Sequence, residues 1–233
     1  MSSAFQGFPA GGMQFLRDLK ENNDREWFAP RKQIFESELR APMLALVGEI
    51  HREMMAFAPQ YVGEPSKCIF RIYRDTRFSK DKTPYKDHIA AQMRRSDLPK
   101  QGAGYYFGIS PEGIEVAAGL WMPEPDVLRA VRNQIAARFQ AFRATFPDPA
   151  LMADAYAQST VRPPKGFDPG HPAIDFLKRK HYVFGTTLEP SLARNAALRD
   201  EIVKRFAAVA GFVEFLNQPV LAGLAAARTR SDF

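Results

Sequence analysis

Two β-favouring runs separated by four residues constrain this chain more than anything else in it. They are Gly104-Tyr105-Tyr106-Phe107-Gly108-Ile109 and Ile114–Leu120, joined by Ser110-Pro111-Glu112-Gly113. Proline, serine and glycine make that connection a turn. A connection so short returns the chain antiparallel, because parallel neighbours need a crossover of a dozen or more residues. A doubly wound parallel sheet is therefore not expected. Ile89–Met93 reads as a further strand ahead of the hairpin, and Tyr182–Leu188 as a later one.

Helical patterns flank this middle. Met13, Phe15, Leu16 and Leu19 fit a short amphipathic helix ending near Asn22, and Asn23 or Asp24 is placed to cap the next. Ile34, Phe35 and Leu39 recur at helical spacing. Pro42 is expected to break or kink that helix before Met43, Leu46, Val47, Ile50, Met54 and Phe57 continue the stripe. Pro123 and Pro125 open a helix with Leu128, Val131, Ile135, Phe139 and Phe142 on one face, ended by Pro147-Asp148-Pro149. A shorter helix is predicted through Ala157. A rigid proline-rich loop at Arg162–Pro172 follows, then a brief helix at Asp175–Lys180. One long helix is predicted over Glu189–Ala210, and short helical pieces at Phe212–Leu216 and Val220–Ala226. The order predicts an α+β single domain over 1–233, with a largely antiparallel sheet and helices mainly on one face. Its parts are a helical 10–58, a sheet-rich 67–121 and a helical 123–226.

The densest chemistry lies in Phe70–His88. Arg71, Arg74, Arg77, Lys80, Lys82 and Lys86 stand within sixteen residues with only Asp75 and Asp81 against them, a net +4 in a chain whose total is +6. Tyr73, Phe78 and Tyr85 are interleaved. The guanidinium fork matches phosphate and carboxylate oxygens. Arginines three apart cannot share one strand face, so they converge only if the strand ends and the chain turns. Lys67–Tyr73 is accordingly read as a strand, Arg74–Pro84 as an ordered loop and His88–Arg95 as the next strand. The expected anion site comprises Arg71, Arg74, Asp75, Arg77, Lys82, Tyr85 and Lys86, with Asp75 orienting the arginines and Tyr85 offering its hydroxyl. Lys165 and His171 of the proline-rich loop are candidates to face it.

Two other readings stand beside the anion site. The same cations and rings suit a nucleic-acid surface, although no helix-turn-helix, RRM or zinc pattern accompanies them. Alternatively, Asp75 and Asp81 pair with the arginines, and the motif is a salt-bridge network that shapes a loop. The sequence decides neither the reaction nor whether there is one, and it points to no cofactor.

The spacing R-x-x-R-D-x-R-F-S-x-D-K-x-P-Y-K at Arg71–Lys86 resembles the signature of a bacterial conserved-hypothetical family filed as domain of unknown function 2461. Asn22–Phe28, Gly119–Pro125 and Arg162–Phe167 are also similar to it. The resemblance implies a single-domain bacterial protein and carries over no catalytic residue.

The remaining features exclude rather than assign. Cys68, the single cysteine, allows no internal disulfide, fits a reducing cytosol and is expected to be a buried, inert thiol. Met1–Ala10 lacks the basic start and apolar core of a signal peptide, and no apolar run reaches the roughly 18–20 residues of a membrane helix. A cytoplasmic location without membrane association is therefore expected. His51, His88, His171 and His181 show no metal-ligand spacing, and no nucleophile elbow or Gly-rich phosphate loop is present. Gly102, Gly104, Gly108 and Gly119 lie in or beside the strands, as bulges or as places of close approach.

Overall fold

A computed structural model describes residues 4–98 and 102–231. The helices are α1 Ala10–Glu21, α2 Arg25–Phe28, α3 Lys32–Phe35, α4 Ala41–Met54, α5 Pro65–Cys68, α6 Pro125–Ala137, α7 Phe139–Arg143, α8 Ile174–Leu177, α9 Leu198–Ala208 and α10 Ala210–Ser231. The strands are β1 Ile89–Met93, β2 Gly104–Ile109, β3 Ile114–Leu120, β4 Ala153–Ala155 and β5 Tyr182–Leu188. They form one antiparallel sheet in the order β1-β2-β3-β5-β4, so the fold is α+β. The expected hairpin is there: the Ser110 N–H donates to the Gly113 carbonyl at 3.0 Å, and the Ser110 hydroxyl accepts the Gly113 N–H. Among the described residues, no single helix is long and apolar enough to cross a membrane.

The chain parts into two compact units. The first comprises Met1–Met93, Tyr106–Val116 and Thr187–Lys204. Its core gathers Phe15, Phe28, Phe35 and the α4 stripe Met43, Leu46, Val47, Ile50 and Met54, all buried. The second comprises Arg94–Tyr105, Ala117–Thr186 and Arg205–Phe233. Its core centres on Phe142, whose ring meets those of Phe176, Tyr182, Phe212 and Phe215 at 5.4–6.1 Å. Within this unit Gly119 has φ +135°, and a Cβ there would stand 2.0 Å from the Tyr182 carbonyl oxygen. The glycine admits a backbone approach that no side chain allows.

Several expected elements differ, each for a physical reason. Lys67–Tyr73 is not a strand. Pro65 opens α5, which ends at Cys68, and the chain then touches its neighbour only through the bridges Ile69 with Ala91 and Tyr73 with Tyr85. Those bridges enclose two more residues on the second segment than on the first, so a bulge at Asp87-His88 interrupts the ladder. Pro42 does not end its helix: a π-helical turn over Glu36–Arg40 absorbs the break, and Pro42 sits in the first turn of α4. The helix expected from Pro125 breaks at Arg138, with φ −134° and ψ 45°, into α6 and α7.

The helix expected through Ala157 is instead β4, whose Ala153, Asp154 and Ala155 pair with Gly185, Phe184 and Val183. Alanine's helix propensity yields to strand pairing with a partner thirty residues on. Glu189–Ala210 is not one helix either. A 3-10 turn over Pro190–Arg194 leads to an extended Asn195, whose side chain accepts the Ala197 N–H at 2.9 Å ahead of α9. The two expected C-terminal pieces are one helix, α10, which continues through Pro219. Proline removes the N–H that would satisfy the Phe215 carbonyl. That oxygen accepts from Gln134 Nε2 of α6 at 2.7 Å, so the helix continues without an orphaned acceptor.

Candidate anion site

The arms of the Arg71–Lys86 motif are tied by backbone. Phe70 N–H donates to the Ala90 carbonyl at 2.9 Å, Lys86 N–H to Ile72 at 2.8 Å and Arg74 N–H to Pro84 at 2.9 Å. The loop beyond Arg74 is closed by its own side chains. The Arg74 guanidinium donates to the Asp81 carboxylate and the Thr83 hydroxyl, and Asp81 Oδ1 accepts both the Thr83 N–H and its hydroxyl at 2.9 Å. Arg77 grips Asp75 through two parallel bonds of 3.0 and 2.7 Å. Lys82 Nζ donates to the Thr76 carbonyl at 2.9 Å. Both carboxylates are thereby held well below the usual range, at about 2, Asp75 by the hydrogen bond from Arg77 and Asp81 by the one from Arg74.

Tyr85 is buried under the same motif. Its ring stacks on Phe28 at 4.1 Å, and its backbone is bracketed by the Asn23 amide, with bonds of 3.0 Å to both N–H and carbonyl. The neighbouring Asp24 caps α2 by accepting the Trp27 N–H at 2.7 Å. Asn22–Phe28 and Arg71–Lys86 are thus one construction, and Tyr85 serves it as a packed ring.

Arg71, Arg74 and Arg77 therefore do not share one focus. Arg74 and Arg77 each hold an aspartate inside the loop, whereas Arg71 reaches Asp75 only through its charge. It lines a groove of about 290 Å³ with Lys32 and Arg40, over an apolar floor that includes Phe28, Phe35, Ile69 and Ile72. Glu36 is the one carboxylate among the lining residues, and Arg40 Nη1 lies 3.4 Å from it. Lys86 braces this wall: its Nζ donates to the Arg71 carbonyl at 3.0 Å and stands 5.0 Å over the Phe70 ring. Burial, and then the nearby Arg71 charge, push the Lys86 ammonium down from its ordinary value. Lys32 and Arg40 are the groove cations that motif reading misses. Their signal is the i, i+4, i+8 row Lys32, Glu36, Arg40 across α3 and the π-helical turn, which puts all three on one face.

Cys68 is half-buried rather than fully enclosed, and its Sγ lies 3.7 Å from Nε2 of the buried His51 on α4. Burial pushes the thiol up and the imidazole down, so both are neutral at pH 7. His171, in the second unit, accepts the Ala173 N–H on Nδ1 at 3.0 Å. Among the described residues, no three His, Cys, Asp or Glu side chains gather at metal-ligand geometry.

A family model described as "Conserved hypothetical protein (DUF2461)" matches residues 12–215. No curated protein and no solved structure matches the chain.

Proposed function

We propose, for this chain, which belongs to the DUF2461 family of conserved hypothetical proteins, that the first unit binds a small anion with an apolar portion. The anion is a phosphate or carboxylate, held at the groove by Arg71, Lys32 and Arg40. The observation that carries this reading is the meeting of three cations and one carboxylate over a floor of aromatic and aliphatic side chains. A site with cations at the rim and an apolar floor suits an amphipathic acid. Arg74, Asp75, Arg77 and Lys82 hold the loop beside it, and Tyr85 and Lys86 stiffen the wall that presents Arg71.

One feature favours a second reading. Phe78 is 95% exposed at the loop tip, with Arg77 5.8 Å from its ring and Lys80 and Lys82 nearby in sequence. An exposed ring among cations is a stacking platform for single-stranded nucleic acid.

Thermal melting at fixed ionic strength with phosphate, a medium-chain fatty acid, ATP and a short single-stranded DNA separates these cases. The groove reading expects the fatty acid and at least one phosphate compound to raise Tm with concentration. Arg71→Ala is expected to remove that rise, since losing a charge-assisted bond costs about 1.5–3 kcal/mol. Response to DNA alone, abolished by Phe78→Ala and untouched by Arg71→Ala, would establish the second reading instead. A flat response to all four leaves the motif as a salt-bridge scaffold.

A further inference from the structure

The charge and the rings of the groove choose among anions. Three cations against the one carboxylate of Glu36 leave its lining with a net charge of +2. Arg40 is the cation that meets Glu36, at 3.4 Å. Among the described residues, neither Lys32 nor Arg71 is in an ion pair, and Arg71 reaches Asp75 only through its charge. Two cations from different segments, one on α3 and one on the Arg71–Lys86 motif, thus line one groove without a carboxylate of their own. The lining holds neither histidine nor cysteine, the side chains that ordinarily titrate near neutral pH.

The apolar part of the lining adds a second constraint. Phe28, Phe35, Phe70 and Tyr73 are four aromatic rings around about 290 Å³. Phe28 and Phe35 are buried beneath, with ring centroids 5.9 Å apart. Phe70 and Tyr73 are 37% and 48% exposed, so part of each ring is free to meet a ligand. Aromatic walls favour a flat partner, because offset and edge contacts between rings add to the area they bury.

We propose that the ligand of this groove is a phosphate monoester of a small aromatic alcohol, bound as the dianion. The inference rests on the groove being an anion site and names the class of anion. Lys32 and Arg71 pair with the phosphate oxygens, and Phe70 and Tyr73 take the ring. A monoester carries a charge of about −1.5 to −2 at pH 7, which matches the two cations that have no carboxylate of their own. A carboxylate or a phosphodiester brings a single charge and leaves one of them unmatched. Charge-assisted bonds from arginine or lysine to phosphate are about twice as strong as neutral ones, so the second pairing decides the preference.

Isothermal titration at fixed ionic strength with phenyl phosphate, methyl phenyl phosphate, phenylacetate and inorganic phosphate tests it. The first three share a ring and differ in charge or head group, and the last has the head group alone. At pH 7.5 phenyl phosphate is expected to bind roughly tenfold more tightly than any of the others. Phenyl phosphate gains its second charge near pH 6, so its affinity should rise about fivefold from pH 5 to pH 7 while that of the diester stays level. A titration of the protein itself would move both esters alike. Lys32→Met, which keeps an apolar stem, should bring phenyl phosphate close to the diester. Lys204→Ala, an exposed α9 position outside the lining, should change nothing. The probe and pH comparisons use the wild type, so they decide the matter even if Lys32→Met folds poorly. Equal affinity for the two esters, or tighter binding of phenylacetate, overturns the dianion assignment and leaves the groove as an anion site. Inorganic phosphate binding as tightly as phenyl phosphate overturns the aromatic assignment. Saturation by none of the four removes the groove reading itself, and this inference with it.

Discussion

Arg71 and Arg74 stand three residues apart with the same charge, and their surroundings give them opposite uses. Arg74 is consumed by Asp81 and Thr83, whereas Arg71 faces a groove. The sequence displays both arginines and both aspartates, but their pairing depends on a loop path that spacing does not determine. Lys32 and Arg40 lie 39 and 31 residues before Arg71 and enter only because α3 and the π-helical turn line the same groove. The pairing has a measurable signature. Asp81 is held at about 2, chiefly by the hydrogen bond from Arg74. A carboxylate depressed in the folded state stabilises fully above its unfolded value, and that contribution is lost as pH falls through the folded one. The loop contribution of Asp81 is therefore intact at neutral pH and disappears only as the pH approaches 2. Carboxyl-carbon NMR titration should place the Asp81 midpoint there, and Arg74→Ala should raise it part of the way to the ordinary aspartate value of about 3.9, the Thr83 bonds holding the remainder. A midpoint unmoved by Arg74→Ala would mean that the Thr83 bonds alone hold the charge.

Elements were legible where their determinants are local. The β2–β3 hairpin and α1 follow from turn chemistry and apolar period; the hairpin strands have the bounds the sequence predicts, and α1 ends beside Asn22 as expected. β4 was not legible, since its pairing residue, Gly185, is remote from Ala153. The continuity of α10 was hidden for the same reason: Pro219 reads as a break until Gln134 is placed against the Phe215 carbonyl. That compensation makes a double-mutant cycle informative. Gln134→Ala should cost about 1–3 kcal/mol, because it leaves an acceptor on a buried residue unsatisfied. In a Pro219→Ala background the helix regains its own N–H at position 219, and the same Gln134→Ala change should cost clearly less. Chemical denaturation of the four proteins gives the coupling. Equal costs in both backgrounds would show that the α6 contact acts only through packing.

At the scale of the whole chain, the α+β class and the family resemblance were both readable, because hairpin spacing and a long specific motif survive without any knowledge of packing. The distribution of charge was not. The net +6 conceals a basic groove, and only folding brings Lys32 to Arg71. Packing also governs where the chain should open. Phe107, Ile109, Ile114 and Val116 have no exposed surface, while Asp75, Arg77 and Phe78 are exposed on a loop closed mainly by side chains. Opening free energy follows buried apolar contact and protected backbone bonds. Amides of β2 and β3 should therefore exchange with deuterium last, and those of Asp75–Thr83 first. Adding an anion that fills the groove should slow exchange at Ile69–Tyr73 and over Lys32–Arg40, which form its walls. It should leave Val183 and Phe184 of β5 unchanged. Slowing spread evenly over all peptides would instead mark a general salt effect, with no occupied site behind it.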